Sequence, residues 1–594
     1  MKLKAGVTIL LLLWIPSLLL RSGPPSGATV QAAEGRVRRV NAPYFSRDVT
    51  YAEMGLFWFG RVDTTSNYAD VRVGYDQEAL HVRVAVFDRW LWYDRSPTSY
   101  SLDAWDAVSL YLNLDGNVGQ TPDPDAYRFV GQLNWWEEDR AVFQTAYRGN
   151  GSGWSGAATP FSTSSGWRGN APNDNNADDR GWVLTFRLPF ASLGCSGPPA
   201  EGAIWGLGAV LHDRDDAGGT AIADQTWPET LDDDRPATWG QLRFGLPTYS
   251  PPSATIGGSV TIREKLNGAV VPDAAVGGTI GNLCPGDADY IWNDWGDDNF
   301  GGGQIVNIQN QGDVADWPCF AKYYVTFPLD TVPAGRSIIS AKLTLHQSGN
   351  AGGGSWGEPD PSLIQVFTID DAWSESALTW NNAPLAGENG AAAWVDPLPS
   401  FPGWPGVPTD WDVSREVAQA YEAGEPLRLA LYSADTAYHS GKYFVSSETG
   451  DWNAEARPTL TVTWGEPAAV IHNTVRPSTA QQGQAVTYTL SLQGNGQPLA
   501  VLDTLPPQVS APQSIEVLGG AGVNYEPGGH RLTWSGAPGS GESVIIQFHV
   551  NVQVSGTQAV ANTATLTDGE GNVSSDTAVL IVDPRSVYLP LALR

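Results

Sequence analysis

A two-residue alternation of apolar and polar side chains limits the fold of this chain more than any other feature. The alternation is clear in Val71–Tyr75, Leu80–Val86 and Val544–Val550, and glycine, proline, asparagine or aspartate residues separate such runs. Because successive side chains of a strand point to opposite faces, the pattern predicts half-buried β-strands. A helical spacing is clear only at Ser414–Glu422, just before Gly424. We therefore predict an all-β chain with three consecutive β-sandwich domains, jelly-roll-like and immunoglobulin-like in type.

Junctions rich in proline and glycine predict where the domains begin and end. Pro247–Ser253 has the composition of a linker, a second junction lies at Gly465–Pro467, and a third follows Asp583. Domains commonly contain about 100 to 200 residues, and these junctions give pieces close to that size. The predicted divisions are a leader at 1–33, a first domain at 36–247, a linker at 248–253, a second domain at 254–465, a third domain at 468–583 and a tail at 584–594.

The N-terminus predicts export. Lys2 and Lys4 precede the uncharged apolar run Val7–Leu20, and small residues follow at Val30–Ala33. A basic start, a short apolar core and a small-residue exit are typical of a secretory signal peptide. The apolar run is shorter than the roughly 20 residues that a membrane-spanning helix needs. We expect cleavage near Ala33, a secreted mature chain without a transmembrane segment, and leave retention at the cell surface open.

Charge and cysteine content narrow the possible partners. The formal net charge is -30, so the surface repels phosphates and we expect no nucleic-acid partner. The same excess of carboxylates can supply oxygen ligands to Ca²⁺. The three cysteines are Cys195, Cys284 and Cys319, with no Cys-x-x-Cys pair for zinc or redox chemistry. Cys284 and Cys319 fall in one domain and can pair outside the cell; buried free thiols are the alternative.

The first region carries an ordered set of motifs. Two strands, Asp70–Tyr75 and Leu80–Phe87, are followed by Asp103–Asp115, by Trp205–Asp216 and by the closing Ala237–Phe244. This order resembles family 9 carbohydrate-binding modules and their DOMON-like sandwich relatives. The resemblance implies a β-sandwich that holds sugar against tryptophan faces, often with Ca²⁺ nearby.

The candidate sugar-binding residues of this region are aromatic side chains that lie among charges. Indole faces can stack on the apolar faces of sugar rings, and the neighbouring charged groups can bond the hydroxyls. Adjacent strand residues point to opposite faces, so at most one of Trp135 and Trp136 is expected on the binding side. Core packing is the alternative for any one of them. The predicted carbohydrate-binding residues of the first domain are Trp90, Trp92, Tyr93, Trp135, Trp136 and Trp227.

Two further site hypotheses concern metals. Asp213, Asp215 and Asp216 form a candidate Ca²⁺ cluster, although they do not match an EF-hand loop and solvated loop acids are the alternative. Haem binding is a property of some DOMON-like proteins, and axial ligation here would need Met54 with His81 or His212.

The second region contains a more specific set of motifs. Ala288–Gly301 opens it, Trp373–Pro384 follows, and Phe444–Glu448 and Arg457–Val462 close it. This string resembles the DNRLRE-type (disaggregatase-related) domain, also known as carbohydrate-binding module family 96. The resemblance implies a jelly-roll-like sandwich found on bacterial surface proteins and polysaccharide-active enzymes. Most motif residues look structural. Trp292 and Trp295, which lie among aspartates, are the predicted exposed edge for a glycan or Ca²⁺.

The third region predicts a spacer. Ala485–Leu490, Asp503–Pro506, Leu532–Trp534 and Ala561–Ala564 resemble the immunoglobulin-like repeat of bacterial surface proteins, which has an Asp-x-Leu-Pro motif. The final Val587–Arg594 resembles a short tail that recurs on exported bacterial proteins.

A search for catalytic patterns finds none. The histidines are scattered without a His-x-x-x-His spacing, and no Gly-x-Ser-x-Gly or phosphate-binding Gly-Lys-Ser/Thr motif occurs. We predict an exported, non-catalytic, multi-module protein that binds a polysaccharide or cell-surface glycan. Many carboxylate pairs remain, so a polysaccharide-degrading hydrolase or lyase stays open. A structural surface or adhesion protein and a haem-binding DOMON-type protein are open as well.

Overall fold

The structure is a computed structural model that describes residues 37–252, 254–278, 286–314, 317–353, 357–435, 437–467, 469–520, 522–539, 542–569 and 571–584. The predicted leader at 1–33, Cys284 and nearly all of the predicted tail lie outside the described residues. Regular structure is nearly all β, in several separate sheets, which confirms the predicted fold class. In the described part of the chain, no helix combines the length and the apolar character needed to cross a membrane.

The first sandwich consists of two sheets that face each other across an apolar core. One sheet has the order β2-β3-β4-β10-β9, and the other has the order β1-β13-β11-β5-β6-β7-β8, with β12 beside β11. Its strands are β1 (Arg39–Ala42), β2 (Gly55–Gly60), β3 (Tyr68–Tyr75), β4 (Ala79–Phe87), β5 (Ala107–Asn113), β6 (Ala126–Gln132), β7 (Gln144–Gly149), β8 (Trp154–Ala157), β9 (Ser162–Arg168), β10 (Gly181–Pro189), β11 (Ile204–His212), β12 (Gln225–Trp227) and β13 (Gly240–Phe244).

The second sandwich also has two sheets and adds two short helices. Its sheets have the orders β15-β17-β22-β19-β20 and β14-β24-β18-β23-β16, with β21 beside β18. The elements are β14 (Ala254–Arg263), β15 (Asp273–Gly277), α1 (Ala288–Asn293), β16 (Ile305–Ile308), β17 (Ala321–Phe327), β18 (Ser337–Asn350), β19 (Ser362–Thr368), β20 (Glu388–Val395), β21 (Val407–Asp412), α2 (Ser414–Ala423), β22 (Leu427–Ser433), β23 (Lys442–Val445) and β24 (Thr459–Pro467).

The third sandwich encloses a core of its own between sheets of the order β25-β27-β32-β29 and β26-β34-β33-β28-β31-β30. Its strands keep the alternating burial that the sequence predicts, as in β27 and β32. They are β25 (Val470–Arg476), β26 (Thr479–Ala480), β27 (Ala485–Gln493), β28 (Leu499–Thr504), β29 (Ile515–Leu518), β30 (Asn524–Glu526), β31 (Arg531–Gly536), β32 (Ser543–Asn551), β33 (Gln558–Asp568) and β34 (Val573–Val582).

The first and second sandwiches share a hydrophobic core. The predicted linker at 248–253 had indicated two separate domains. Strand β3 shows the reason, because every one of its residues is buried. One face of β3, including Val71 and Val73, packs inside the first sandwich. Tyr68, on the opposite face, packs against residues of the second sandwich, including Tyr432 and Trp380. The two sandwiches also meet at their sheet edges, where β1 pairs in parallel with β20.

A polar group lies inside this shared core. The hydroxyls of Tyr68 and Tyr432 donate to the two carboxylate oxygens of Asp70 at 2.7 and 2.8 Å. Lys322 Nζ donates to the Tyr68 hydroxyl at 2.8 Å and lies 3.8 Å from the ring centroid of Trp380. Burial lowers the pKa of Lys322 to about 7. The second sandwich thus covers polar groups of the first and supplies their hydrogen-bond partners.

Candidate functional site

A cluster of carboxylates lies at one end of the first sandwich. Asp88 directly follows β4, Asp213 directly follows β11, and Asp215 comes two residues later. Because β4 and β11 belong to different sheets, the cluster forms where strand ends of the two sheets meet. One candidate ligand atom from each of the three residues lies within 4.8 Å of the others. This spacing suits oxygens that surround a single cation.

Burial and mutual repulsion give these carboxylates unusual proton affinity. Burial, together with the charges of Asp106 and Asp213, raises the pKa of Asp88 well above its usual range. Burial and the charge of Asp215 raise the pKa of Asp213 to about 8. Burial and the charge of Asp216 raise the pKa of Asp215 to about 6. A bound cation would offset this repulsion.

Hydrogen bonds already hold part of the cluster in place. Asp106 accepts from the backbone N–H of Trp92 at 2.6 Å and of Arg214 at 2.9 Å, so it supports the cluster from beside it. Asp88 accepts from the Trp90 backbone N–H at 3.0 Å and from the Trp182 Nε1–H at 3.1 Å, and each oxygen keeps a lone pair for a cation. By contrast, Asp213 Oδ1 is buried with no hydrogen-bond partner among the described residues. The donor set, hard oxygens with one of them unsatisfied, fits Ca²⁺.

The predicted metal cluster therefore needs a correction. Asp216 lies outside the group of three, because its side chain instead accepts from the backbone N–H groups of Gly218 at 2.7 Å and Thr220 at 3.2 Å. A hydrogen bond from the Thr220 side chain, together with those from backbone N–H groups of this turn, lowers the pKa of Asp216. Asp88 takes its place beside Asp213 and Asp215. The only sequence signal for Asp88 was its position directly after a predicted strand.

Two tryptophans lie on the loop that follows Asp88. Trp90 and Trp92 are half-buried, and their backbone N–H groups are the donors to Asp88 and Asp106 described above. The Arg89 guanidinium lies 4.7 Å from the ring centroid of Trp90. The Trp92 Nε1–H donates to Asn175 at 2.6 Å, and Asn175 donates to the Asp215 backbone carbonyl at 2.7 Å. The carboxylate cluster and this aromatic loop, Asp88–Asp94, are thus parts of one connected structure.

A second aromatic group adjoins the loop through Glu138. This carboxylate accepts from the Tyr93 hydroxyl at 3.3 Å and from the Trp135 backbone N–H at 3.2 Å. Trp135 is half-buried and packs on Trp167, with ring centroids 5.5 Å apart. Trp136 is 68% exposed. The pair lies after β6, in a loop and not on a strand, so the predicted strand alternation does not apply, although only Trp136 of the two is exposed.

Several predicted sugar contacts are wrong because the rings are buried. Tyr93 packs edge-on against Phe143 at 5.9 Å in the first core. Trp227 is fully buried and stacks on Phe57 at 4.0 Å. As part of β12, it pairs with β11, which turns its ring into the sandwich.

The predicted glycan edge of the second domain is also wrong. Trp292 lies on α1 and Trp295 follows it, and both are buried in the core shared by the two sandwiches. The Trp292 ring packs on Trp317 at 4.8 Å, and the Trp295 ring packs on Trp380 at 4.9 Å. The neighbouring aspartates made this segment look exposed, but α1 directs its apolar side toward the first sandwich.

The packing around Met54 argues against the haem hypothesis. Met54 is buried, and a side chain on Gly74 would already contact both Met54 and Phe45. His212 uses both ring nitrogens, in hydrogen bonds with Ser109 at 2.9 Å and Asp224 at 3.0 Å. Nε2 of the other candidate, His81, lies 2.9 Å from Asp76. Met54 thus lies in a closely packed part of the first sandwich.

The cysteines differ in state. Cys319 is buried and disulfide-bonded, whereas Cys195 is a half-buried free thiol. Cys284, the predicted partner of Cys319, lies outside the described residues.

Comparison with known families gives a match within the second domain. Residues 282–463 match the model of carbohydrate-binding module family 96. This match confirms the resemblance predicted for the second domain over most of its length. The DOMON-like and immunoglobulin-like resemblances stay predictions.

Similar solved structures include two carbohydrate-binding modules of family 9 from Caldicellulosiruptor kristjanssonii. The one in complex with glucose has 16% identity and a TM-score of 0.26, and the alignment covers 36% of this chain and 99% of that one. The one in complex with cellotriose has 18% identity and a TM-score of 0.26, covering 35% and 94%. A putative carbohydrate-binding protein from Bacteroides uniformis has 12% identity and a TM-score of 0.26, covering 35% and 99%. No curated protein matches the chain.

Proposed function

We propose that this chain is an exported, non-catalytic, multi-module protein that binds polysaccharide, with a glycan site on the aromatic loop of the first sandwich. The observation that carries the proposal is the attachment of Trp90 and Trp92 to buried carboxylates through their backbone N–H groups. The loop offers two half-exposed indoles on a fixed backbone. A ligand that stacks on them therefore loses little free energy to ordering of the protein.

The chemistry around the loop suits a sugar. Indole rings supply an apolar surface for the C–H faces of a pyranose, and the polar groups beside them can bond its hydroxyls. Arg89 and Asp94 lie on the same loop, and the exposed ring of Trp136 lies on the neighbouring loop. The match of residues 282–463 to a carbohydrate-binding family supports the same class of ligand for the protein as a whole.

Ca²⁺ is proposed as a structural partner of this site. Asp88, Asp213 and Asp215 would hold it, and its charge would neutralise carboxylates that otherwise repel one another. Since Asp88 also accepts from the Trp90 backbone N–H, the cation would stabilise the loop that carries the indoles. Under this proposal the metal has a structural role and takes no part in catalysis.

Export and the spacer role complete the proposal. Export is supported by the signal-peptide pattern at 1–33, and the third sandwich would hold the two modules away from an attachment point. The second candidate function is a structural surface protein without sugar affinity, which the open aromatic surfaces do not favour.

The test is glycan binding by the full mature chain, by array and then by titration calorimetry. We expect the Trp90→Ala/Trp92→Ala double variant to bind the best array ligand at least roughly tenfold more weakly, as for aromatic residues that dominate an interface. Trp394→Ala is the matched control, because Trp394 is half exposed in the second sandwich, outside the loop. Equal affinity of the double variant and the control would reject the loop as the site. No binding by the unaltered chain would favour the structural alternative.

A further inference from the structure

Three large aromatic side chains form a row on the surface of the second sandwich. Phe401, Trp404 and Trp452 are 57%, 45% and 68% exposed. The ring centroids of Phe401 and Trp404 are 5.1 Å apart and those of Trp404 and Trp452 are 5.4 Å apart, and each pair meets edge to face, at interplanar angles of 71° and 82°. We call these three residues the aromatic platform. An exposed apolar cluster of this kind costs solubility and commonly marks a binding surface.

The platform is built from two chain segments that are fixed from below. Phe401 and Trp404 lie on the connection between β20 and β21, and Trp452 lies on the turn at Asp451–Ala456. Gly406 has a φ of +103°, and its Cα lies so close to the Gln347 carbonyl of β18 that a Cβ there would clash. The first segment is therefore seated directly on the sheet.

The turn that carries Trp452 is held by a buried arginine. Arg457 is buried and donates to the Thr449 carbonyl at 2.7 Å and to Asp451 Oδ1 at 2.6 Å. Asp451 also lies 3.6 Å from Lys265 Nζ. These contacts fix the backbone on both sides of Trp452 while its ring stays in water. The rings are thus arranged before any ligand arrives, which favours binding.

The polar surroundings of the platform indicate an uncharged ligand. Lys265 and Asp451 pair with each other, and Lys342 pairs with Asp410 at 2.9 Å. Each of these charges is paired with one of opposite sign, while Glu455, three residues after Trp452, is exposed and would repel anionic groups. The formal net charge of -30 also disfavours acidic polysaccharides and anionic membranes. What remains is an apolar surface with a polar rim, as a sugar chain requires.

A neutral histidine lies between the two segments. His346 on β18 is close to Gly406 of the first segment and to the backbone of Ala456 in the second. Its Nδ1 atom is closed to solvent and has no hydrogen-bond partner among the described residues. Burial lowers the pKa of His346, so the ring is neutral at pH 7. The imidazole therefore adds no positive charge between the two segments.

We propose that the aromatic platform is a second glycan-binding site, which takes an uncharged polysaccharide against the exposed surfaces of Phe401, Trp404 and Trp452. The inference rests on the proposed carbohydrate-binding function but assigns it to different residues from those of the first sandwich. It also replaces the buried Trp292 and Trp295 as the sugar contact of the second sandwich.

The experiment compares five full-length proteins: the unaltered chain, Trp404→Ala/Trp452→Ala, Trp90→Ala/Trp92→Ala, the fourfold variant and Trp394→Ala. The probes are soluble polysaccharides, namely mixed-linkage β-glucan, glucomannan and xyloglucan as neutral chains, and alginate and polygalacturonate as acidic chains. Affinity electrophoresis selects a ligand, and calorimetry measures its Kd. Circular dichroism and thermal unfolding check that every variant is folded.

We expect the Trp404→Ala/Trp452→Ala variant to lose roughly tenfold or more in affinity for a neutral chain, as for removal of central aromatic contacts. Trp452→Phe, which keeps a ring, should retain most of the affinity. Residual binding by Trp90→Ala/Trp92→Ala that disappears in the fourfold variant would establish two separate sites. If only Trp90→Ala/Trp92→Ala lost binding, the proposed function would stand and the platform would be rejected. If only the platform variant lost binding, the platform would stand and the aromatic loop would be rejected.

Two further outcomes would overturn the platform as a neutral-glycan site. Loss of alginate or polygalacturonate binding in the platform variant, with neutral chains unbound throughout, would contradict the assigned ligand class. Self-association of the unaltered chain in sedimentation, abolished by Trp404→Ala/Trp452→Ala, would assign the rings to a contact between copies if no polysaccharide competed with it.

Discussion

Tryptophan side chains occupy two opposite environments in the second sandwich. Trp292, Trp295 and Trp380 are buried where the second sandwich contacts the first, whereas Trp404 and Trp452 are exposed on another part of its surface. The buried rings join two modules, and Trp380 lies beside Lys322 of the buried polar group. The exposed rings contact each other but leave much of their surface in water. Tryptophan thus holds two modules together in the shared core, whereas at the aromatic platform it is accessible to a ligand.

The difference depends on what supports each ring. In the shared core, strand β3 presents a second buried face, and the rings of the second sandwich cover it. At the aromatic platform, Arg457 and the Gln347 carbonyl hold the backbone, so the rings need no tertiary burial to keep their places. A large apolar side chain normally contributes most when it is buried. An exposed ring on a fixed backbone therefore indicates a role outside folding.

The largest expected effect is the loss of stability on replacing a buried tryptophan. Trp380→Ala removes ring contacts with Tyr68 at 4.8 Å and Trp295 at 4.9 Å, as well as the ring beside Lys322. Large-to-small changes of this kind cost about 3–5 kcal/mol. We expect the free energy of unfolding to fall by about that amount, in the transition that involves the first two sandwiches. Denaturant unfolding followed by tryptophan fluorescence measures it, and an unshifted transition would show that the shared core does not stabilise the modules.

A second, smaller effect concerns the carboxylate cluster and its dependence on pH. The pKa values of Asp213 and Asp215 are raised to about 8 and about 6, so the folded state binds more protons than the unfolded state between about pH 4 and pH 8. Without a cation, stability from these groups is full at about pH 4 and is lost as pH rises toward 8. Ca²⁺ prefers the ionised carboxylates, so we expect roughly 5 mM Ca²⁺ to raise the Tm more at pH 8 than at pH 5.

The test variant is Asp88→Asn, which removes one charge from the cluster and keeps the acceptor for the Trp90 N–H but replaces the oxygen that accepts from the Trp182 Nε1–H. We expect it to bind Ca²⁺ more weakly and to reduce the difference in Tm shift between the two pH values. Asp216→Asn is the matched surface variant and should leave Ca²⁺ binding nearly unchanged, because Asp216 lies outside the group of three. Equal loss in both variants would contradict the assignment of the ligands.

The sequence predicted local structure better than it predicted which faces are covered. The helical spacing at Ser414–Glu422 predicted α2 (Ser414–Ala423), and Gly424 ends it with a φ of +70°. The alternation at Leu80–Val86 predicted β4, where Leu80, Val82, Val84 and Val86 enter the core. The same pattern predicted a polar outer face for β3, but Arg72 is buried there. Its guanidinium donates to the Ala434 carbonyl of the second sandwich at 3.1 Å, a contact that periodicity cannot reveal.

The candidate sites also depend on contacts between distant segments, which sequence patterns do not reveal. Asp213 and Asp215 are neighbours in the sequence and were predicted together, but Asp88 joins them only because two strands from different sheets end at one place. The aspartates beside Trp292 and Trp295 predicted exposed rings, which is wrong because α1 turns toward the first sandwich. No pattern distinguished Trp404 and Trp452 from the buried rings. Their exposure depends on how two distant segments meet over β18.

The smallest expected effect on stability comes from replacing an exposed tryptophan. It is the most direct test of whether buried and exposed rings have different roles. Trp452→Ala removes as large a side chain as Trp380→Ala, but its ring is 68% exposed and contacts mainly Trp404. Surface substitutions away from buried features usually change stability by less than about 0.5 kcal/mol. We expect the unfolding transition of Trp452→Ala to overlay that of the unaltered chain while neutral-glycan affinity falls. A loss of several kcal/mol would mean that the platform is part of the folding core, and the contrast between buried and exposed rings would then have to be abandoned.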